Sequence, residues 1–270
     1  MNALQAIVLG VVQGLTEFLP ISSSGHLRIV PAIFGWDDPG AAFTAVIQLG
    51  TMAAVLLYFR ADLWRIAVAW LRSLRDRSVR GDLDARMGWY IVLGTIPIAI
   101  LGLAFKDPIE NQFRNLELIG TTLIVFGFEM LAAEAVSKRD RPLREITARD
   151  GLVIGLAQAL ALVPGVSRSG ATISAGLFRN FDRAAAARYS FLLSVPAVVL
   201  SGLFELRHAG EGNLPIAATA LATLLAFVTG YFSIAFLLRY LARHTIAVFV
   251  AYRVVLGVLV ISLAASGAIR

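Results

Sequence analysis

Two polar interruptions in an otherwise apolar chain carry groups suited to handling phosphate. In the first, Gln13 and Glu17 stand four residues apart, so a helix places them on one face. They precede the run Ser22, Ser23, Ser24, Gly25 and His26. In the second, Ser167, Arg168, Ser169 and Gly170 follow Pro164, and Thr172 lies a turn beyond Ser169. A carboxylate in the middle of a membrane helix costs about 2.5–3.5 kcal/mol on insertion scales. Glu17 therefore needs either hydrogen-bond donors from its own hairpin or a role as general base, proton relay or metal ligand. His26 has the chemistry to protonate a leaving phosphate oxygen or to act as a nucleophile. Ser and Gly at a helix start cap it and turn backbone N–H groups toward an anion. Arg168 stays protonated and grips phosphate bidentately; its competing reading is a permanent ion pair with Glu17. Thr172 is either a further hydroxyl donor or a packing residue.

The background against which these residues stand is a membrane composition. The chain has 270 residues, 58% hydrophobic and 16% charged, with a mean hydropathy of +0.75. Soluble domains carry roughly 25% charged residues. An ordinary cytosolic enzyme, a disordered chain and a fibrous protein are excluded. With no Cys and only three His, thiolate chemistry is excluded and a multi-histidine metal cage is disfavoured. The net charge of +6 reads as membrane orientation rather than nucleic-acid binding. The N-terminal apolar run lacks a basic leader and meets Gln13 and Glu17 instead of a cleavage site, so it reads as part of the fold.

Six segments are long enough to span a bilayer, which takes about 20 residues: 41–59, 89–105, 116–136, 184–204, 215–238 and 246–268. Pro97 and Pro196 fall inside two of them. Leu63 to Leu74 forms an amphipathic stretch with Trp64, Trp70 and several Arg, suited to the interface. Segments 3–35 and 151–179 behave differently, because each is broken at its polar run and the pieces after the breaks are about half a span. A short helix, a polar loop and a second short helix describe a re-entrant hairpin, tolerated only inside protein or against a wet cavity.

The two broken segments resemble each other. A shift of 145 residues aligns Gly10 with Gly155, Gln13 with Gln158, Ser22 with Ser167, Ser24 with Ser169 and Gly25 with Gly170. The fold predicted is therefore an all-α polytopic membrane protein with six transmembrane helices and two re-entrant helix hairpins. It forms a single membrane domain, residues 1–270, of two repeats covering about 1–137 and 150–270. An odd number of spans separates the hairpins, so the repeats are inverted, and paired interrupted helices point to a site near mid-membrane. Seventeen Lys and Arg fall in loops 60–88, 137–150, 179–188 and 239–245, against five on the other side. The rich side is cytoplasmic, which places both termini outside and brings the two hairpin tips together within the bilayer. Arg253 and Glu129 lie within spans and are expected to pair structurally between helices; Gln48 is expected to bond helix to helix.

The runs Gln13-Gly-Leu-Thr-Glu17-Phe-Leu-Pro-Ile-Ser-Ser-Ser-Gly-His26 and Pro164-Gly-Val-Ser-Arg-Ser-Gly-Ala-Thr172 resemble the two signature motifs of the undecaprenyl-diphosphate phosphatase family, also called bacitracin-resistance proteins. The resemblance covers essentially the whole chain. It implies hydrolysis of undecaprenyl diphosphate to undecaprenyl phosphate and inorganic phosphate, recycling the lipid carrier for the cell wall. It also implies a multi-pass protein of the bacterial inner (plasma) membrane with its cavity open to the periplasmic side, aided by a divalent cation, Mg²⁺ or Ca²⁺. The implied partners are the polyprenyl lipid and the bilayer; a homodimer is open, and no nucleic acid is expected. Carried over by position, the catalytic set is Glu17, Ser23, His26 and Arg168. The substrate-binding set is Gln13, Ser22, Ser24, Gly25, Ser167, Ser169, Gly170 and Thr172, with Glu17 as metal ligand.

The first acidic-motif position is Glu in many members of that family and Gln13 here, so Glu17 alone carries any base or metal role. Two chemistries stay open. Either Ser23 attacks the terminal phosphorus and Glu17 or His26 takes its proton, or Glu17 activates water and His26 serves a phosphate oxygen. The type-2 phosphatidic-acid phosphatase pattern fails, because Ser174 stands where its second His belongs and its Lys motif is missing. A polyprenyl-phosphate transporter is the alternative of a different class. It would need Glu17 and Arg168 but not Ser23 and His26.

Overall fold

In the computed structural model, the structure describes residues 2–105, 113, 115–206 and 216–269. The expected connections 106–115 and 205–214 lie almost wholly outside them. Among the described residues there are eleven α-helices and no strand, only an isolated bridge between Arg141 and Phe181. The helices are α1 (Ala3–Phe18), α2 (Ser23–Phe34), α3 (Gly40–Tyr58), α4 (Arg60–Arg75), α5 (Leu83–Ala104), α6 (Leu116–Val136), α7 (Ala148–Leu160), α8 (Arg168–Phe178), α9 (Arg183–Leu206), α10 (Ile216–Leu241) and α11 (Ala247–Ala265).

Five of these, α5, α6, α9, α10 and α11, are each long and apolar enough to cross a membrane. The chain bends by 75° between α3 and α4, and that pair supplies a sixth candidate. All six expected spans are helical at the expected places, and the chain is a multi-pass membrane protein. The bend at Phe59 separates the apolar α3 from the Arg-rich α4, whose Trp64 is exposed while Ile66 and Ser73 are buried. That one-sided burial is the geometry of a helix lying along an interface.

The broken segments form two contacting helix pairs, α1 with α2 and α7 with α8. Their packing partners cross over: α1 runs along α10, and α7 runs along α5. Small residues make this close approach possible. A Cβ on Gly155 would come within 2.3 Å of the Gly94 backbone. The matching Gly10 is as tight, where a Cβ would come within 2.4 Å of the Ala222 carbonyl oxygen. Both first helices open on a capping box, Asn2 with Gln5 in α1 and Thr147 with Asp150 in α7. This reciprocal cap satisfies orphan N–H groups at a helix start.

Arginine–carboxylate clasps hold one end of the bundle. Asp150, with no exposed side-chain surface, accepts from Arg141 at 2.8 Å and from Arg179 at 2.6 Å. Glu134 accepts from Arg139 and Arg183, and Asp62 accepts from Arg65 and Arg188. Burial would push the Asp150 carboxyl up, but hydrogen bonds from Arg141, Arg179 and Thr147 outweigh it and hold it at about 2.

Candidate active site

Each hairpin turns on a serine in an unusual backbone conformation. Ser22 has φ 76° and ψ 99°, and Ser167 has φ 73° and ψ 115°. Positive φ is costly for a side-chain-bearing residue and points to a site. Both serines then cap the next helix in the same way. Gly25 N–H donates to Ser22 Oγ at 3.3 Å, and Gly170 N–H donates to Ser167 Oγ at 3.2 Å. Two residues on, Ser24 and Ser169 approach the capping hydroxyls at 3.3 and 3.2 Å. One loop geometry is thus built twice, 145 residues apart.

The two tips touch. Ser169 Oγ donates to the Leu19 carbonyl at 3.1 Å, and a Cβ on Gly25 would sit 3.7 Å from Gly165 Cα. Gly165 has φ 92°, and its α-carbon packs so tightly on Thr122 that a side chain would collide with the hydroxyl. That hydroxyl donates to the Pro164 carbonyl at 2.8 Å. Arg253 locks the arrangement from behind. It is fully buried, and its guanidinium donates to the carbonyls of Pro20, Gly165, Val166, Thr122 and Leu123. Arg253 and Glu129 interact electrostatically, as expected, but no direct ion-pair contact joins them among the described residues; the hydrogen bonds of Arg253 go to carbonyls instead. Pro20, Gly165 and Val166 lie in the tips, where carbonyls lack helical partners, and the five N–H donors of the guanidinium reach these three and two carbonyls inside α6, Thr122 and Leu123. The Gln48 side chain likewise makes no interhelical hydrogen bond among the described residues; only its carbonyl is used, by Thr51.

Glu17 lies where the tips meet. Its Oε2 accepts from Ser23 Oγ at 2.6 Å and from Gln13 Nε2 at 3.1 Å, and its Oε1 accepts from Arg168. Glu17 comes from α1, Ser23 from the start of α2 and Arg168 from the start of α8, so one carboxylate collects groups from both hairpins. The pairing of Arg168 with Glu17, one of the two readings open in the sequence, is present in the structure. Exposure marks the mouth: Ser24 is exposed and Ser23 and Arg168 half-buried, whereas Gln13, Ser22, Ser167 and Ser169 are buried. Gly25 and Gly170 lend their N–H groups to the capping serines. Thr172 is fully buried, its hydroxyl donating to the Arg168 carbonyl at 2.7 Å and lying 2.5 Å from Ser190 Oγ.

His26 is buried beside this cluster but is hydrogen-bonded away from it. Its Nδ1 is 2.7 Å from the Ser22 carbonyl and its Nε2 is 2.6 Å from the Tyr252 hydroxyl. Sequence reasoning missed Tyr252, Thr51 beneath Gln13 and the carbonyl partners of Arg253. Arg253 carried a signal, a lone cation mid-span. Tyr252 and Thr51 carried none, because single hydroxyls on apolar helices are common.

A buried carboxylate hydrogen-bonded to a serine, with a guanidinium on its other oxygen, is the donor set of a nucleophile–base pair facing an anion. On a multi-pass membrane scaffold it defines a membrane protein equipped for phosphoryl chemistry. The sequence matches the model of the bacitracin resistance protein BacA family over residues 6–259. It is 56% identical to a Nocardioides sp. protein named undecaprenyl-diphosphatase, covering 98% of both chains. A Mycobacterium sp. undecaprenyl-diphosphatase is 55% identical over 100% of this chain and 99% of its own. Undecaprenyl-diphosphatase 2 of Streptomyces coelicolor is 51% identical over 99% and 96%. The chain belongs to the bacitracin resistance protein BacA family.

Proposed function

We infer that this chain hydrolyses undecaprenyl diphosphate to undecaprenyl phosphate and inorganic phosphate within the membrane. The observation that carries the chemistry is the 2.6 Å hydrogen bond from Ser23 Oγ to Glu17. It favours the serine-attack route over the water route. The incoming diphosphate takes the Arg168 guanidinium from Glu17, and free N–H groups at the two helix starts face the same anion. Glu17 accepts the Ser23 proton as Oγ bonds to the terminal phosphorus. The bond from that phosphorus to the bridging oxygen breaks, and undecaprenyl phosphate leaves with a proton from His26. Glu17 then gives the Ser23 proton up to solvent and His26 recovers one; water attacks the phosphoserine phosphorus as Glu17 accepts its proton, the bond to Oγ breaks, and Glu17 returns that proton to Ser23 Oγ as inorganic phosphate leaves. Arg168 stabilises charge in both steps, as phosphoryl transfer depends mainly on positioning and electrostatics.

A divalent cation fits this site only in company with the substrate. Among the described residues no three His, Asp or Glu side chains gather. Gln13 Oε1, however, is buried next to Glu17 without a hydrogen-bond partner. Mg²⁺ typically uses one or two carboxylates plus phosphate oxygens. Glu17 and Gln13 would hold such an ion jointly with the diphosphate, and it would neutralise developing phosphate charge.

In this reading α1–α2 and α7–α8 are re-entrant hairpins of two inverted repeats, entering from opposite faces of the inner (plasma) membrane. The Arg-rich clasps are cytoplasmic, and the site opens on the periplasmic side. The polyprenyl tail stays in lipid while the head group enters between the tips. The product returns the lipid carrier to cell-wall synthesis, and its supply underlies resistance to bacitracin.

The test is phosphate release from undecaprenyl diphosphate by the full chain in detergent with Mg²⁺, beside Glu17→Gln and Arg168→Ala. Release by wild type that both variants lose is expected. No release from folded wild type overturns the phosphatase reading and leaves a transporter; release that survives both substitutions overturns the site.

A further inference from the structure

The hairpin tips share a backbone but not the residue that follows the glycine. His26 occupies in the first tip the place of Ala171 in the second. The second tip shows that the loop needs no imidazole. Ser167 has the same positive φ as Ser22, its hydroxyl caps the same glycine, and Ala171 N–H donates to the Ser167 carbonyl at 2.9 Å. The imidazole therefore serves something other than the turn.

Its two nitrogens are both committed. The Ser22 carbonyl only accepts, so Nδ1 carries the hydrogen. In the neutral ring Nε2 is then the acceptor, and the Tyr252 hydroxyl 2.6 Å away donates to it. When Nε2 is protonated the same contact reverses, because a phenol both donates and accepts. The rings lie nearly parallel, 6° apart. Tyr252 belongs to α11, one residue from the Arg253 that binds both tips, and keeps 44% of its surface exposed. It joins a fixed point of the scaffold to the edge of the imidazole that gains and loses a proton.

We propose that Tyr252 is a positioning residue for the phosphatase reaction, fixing the tautomer and orientation of His26 through its hydroxyl. The proposal rests on the reading that His26 takes part in hydrolysis. Tautomer control by a partner on the second ring nitrogen is how histidines are set for acid–base work. Arg253 acts on His26 electrostatically and Tyr252 touches it, both from α11; of the helices packed on α2, α1 carries Glu17 and α6 carries Glu117, Glu129 and Glu134, and Arg28 lies on α2 itself.

The test compares kcat, KM and the pH–rate profile for phosphate release by wild type, Tyr252→Phe, His26→Ala and the double variant, as full chains in detergent. Removing the hydroxyl while keeping the ring is expected to lower kcat about tenfold, a fraction of what acid–base catalysis contributes. KM stays within about twofold of wild type, the limb of the profile set by His26 shifts, and the double variant is no slower than His26→Ala. A wild-type kcat and profile for Tyr252→Phe, where His26→Ala is slow, overturns the proposal alone. A wild-type rate for His26→Ala overturns it together with the catalytic reading of His26. A readout independent of turnover comes from ¹⁵N-histidine labelling, practical with only three histidines in the chain. The His26 signal should report the Nδ1-protonated tautomer in wild type and lose that bias in Tyr252→Phe; an unbiased wild-type ring overturns the proposal even if the variant fails to fold.

Discussion

The first and second hairpin tips have the same shape and opposite chemistry. At Ser22 and Ser167 the backbone, the cap and the neighbouring serine contact agree closely. Yet the first tip supplies a carboxylate, a nucleophile candidate and an imidazole, while the second supplies a single guanidinium. Position 23 is Ser where position 168 is Arg, and Glu17 faces Leu162 across the shift of 145 residues. In the proposed reaction, differences at three or four side chains make the first tip the reactive half and the second the clamp. Neither half suffices, because Glu17 draws its ligands from both.

The clamp side gives the largest effect. Arg168→Lys keeps the charge but loses the planar fork that can serve a phosphate bidentately. A fall in kcat of roughly 10²-fold is expected, comparable to losing a transition-state hydrogen-bond donor. Phosphate-release kinetics check it. A lysine variant with wild-type kcat would mean that the second tip supplies only a point charge, and the division of labour would need redrawing.

The feet of the hairpins differ as the tips do. Helix α1 starts on the Asn2–Gln5 capping box, whereas α7 starts on Asp150, which adds two arginines to the same device. Held at about 2 against an ordinary 3.8, the Asp150 carboxyl favours the folded state by about 2 kcal/mol at neutral pH. Because its folded value is depressed, that stability is present above pH 3.8 and is lost as pH falls through about 2. Thermal unfolding in detergent from pH 6 down to about 2 should show wild type losing stability over that window. Asp150→Asn should start lower by a similar amount and show a shallower slope. Parallel slopes would place the acid sensitivity elsewhere, with Glu134 the next carboxylate to test.

Much of this was legible beforehand, for identifiable reasons. The places of the long apolar helices, five that could each cross a membrane and a sixth bent pair, followed from apolar length, since a bilayer sets that length. The meeting of the tips followed from repetition, because two interrupted apolar segments have only each other to satisfy their polar loops. Glu17 and Arg168 were visible as charges with no business in hydrocarbon. What stayed hidden depends on rotation about helix axes. Arg253 was seen, and so was its electrostatic partner Glu129, but its hydrogen bonds to three tip carbonyls follow from the shape of loops that no periodicity encodes. Tyr252 was invisible because its role arises from a contact 226 residues away in the chain.

The smallest effect tests the last difference between the halves, the paired glutamines one turn before each tip. Gln13 is engaged, donating to Glu17 at 3.1 Å and reaching Thr51 at 3.5 Å. Gln158, its match by the shift of 145, is fully buried, and both its amide oxygen and its nitrogen lack partners. A buried polar group without partners costs about 1–3 kcal/mol, and replacing it with an apolar isostere recovers part of that. Gln158→Leu should therefore leave phosphate release unchanged and raise stability by about 1 kcal/mol, read as a small rise in Tm. Gln13→Leu should instead lower activity, because Glu17 loses a donor that holds it toward Ser23. If Gln158→Leu destabilises the protein or slows it as Gln13→Leu does, the second half carries a polar function of its own, and the two hairpins are more alike than their tips suggest.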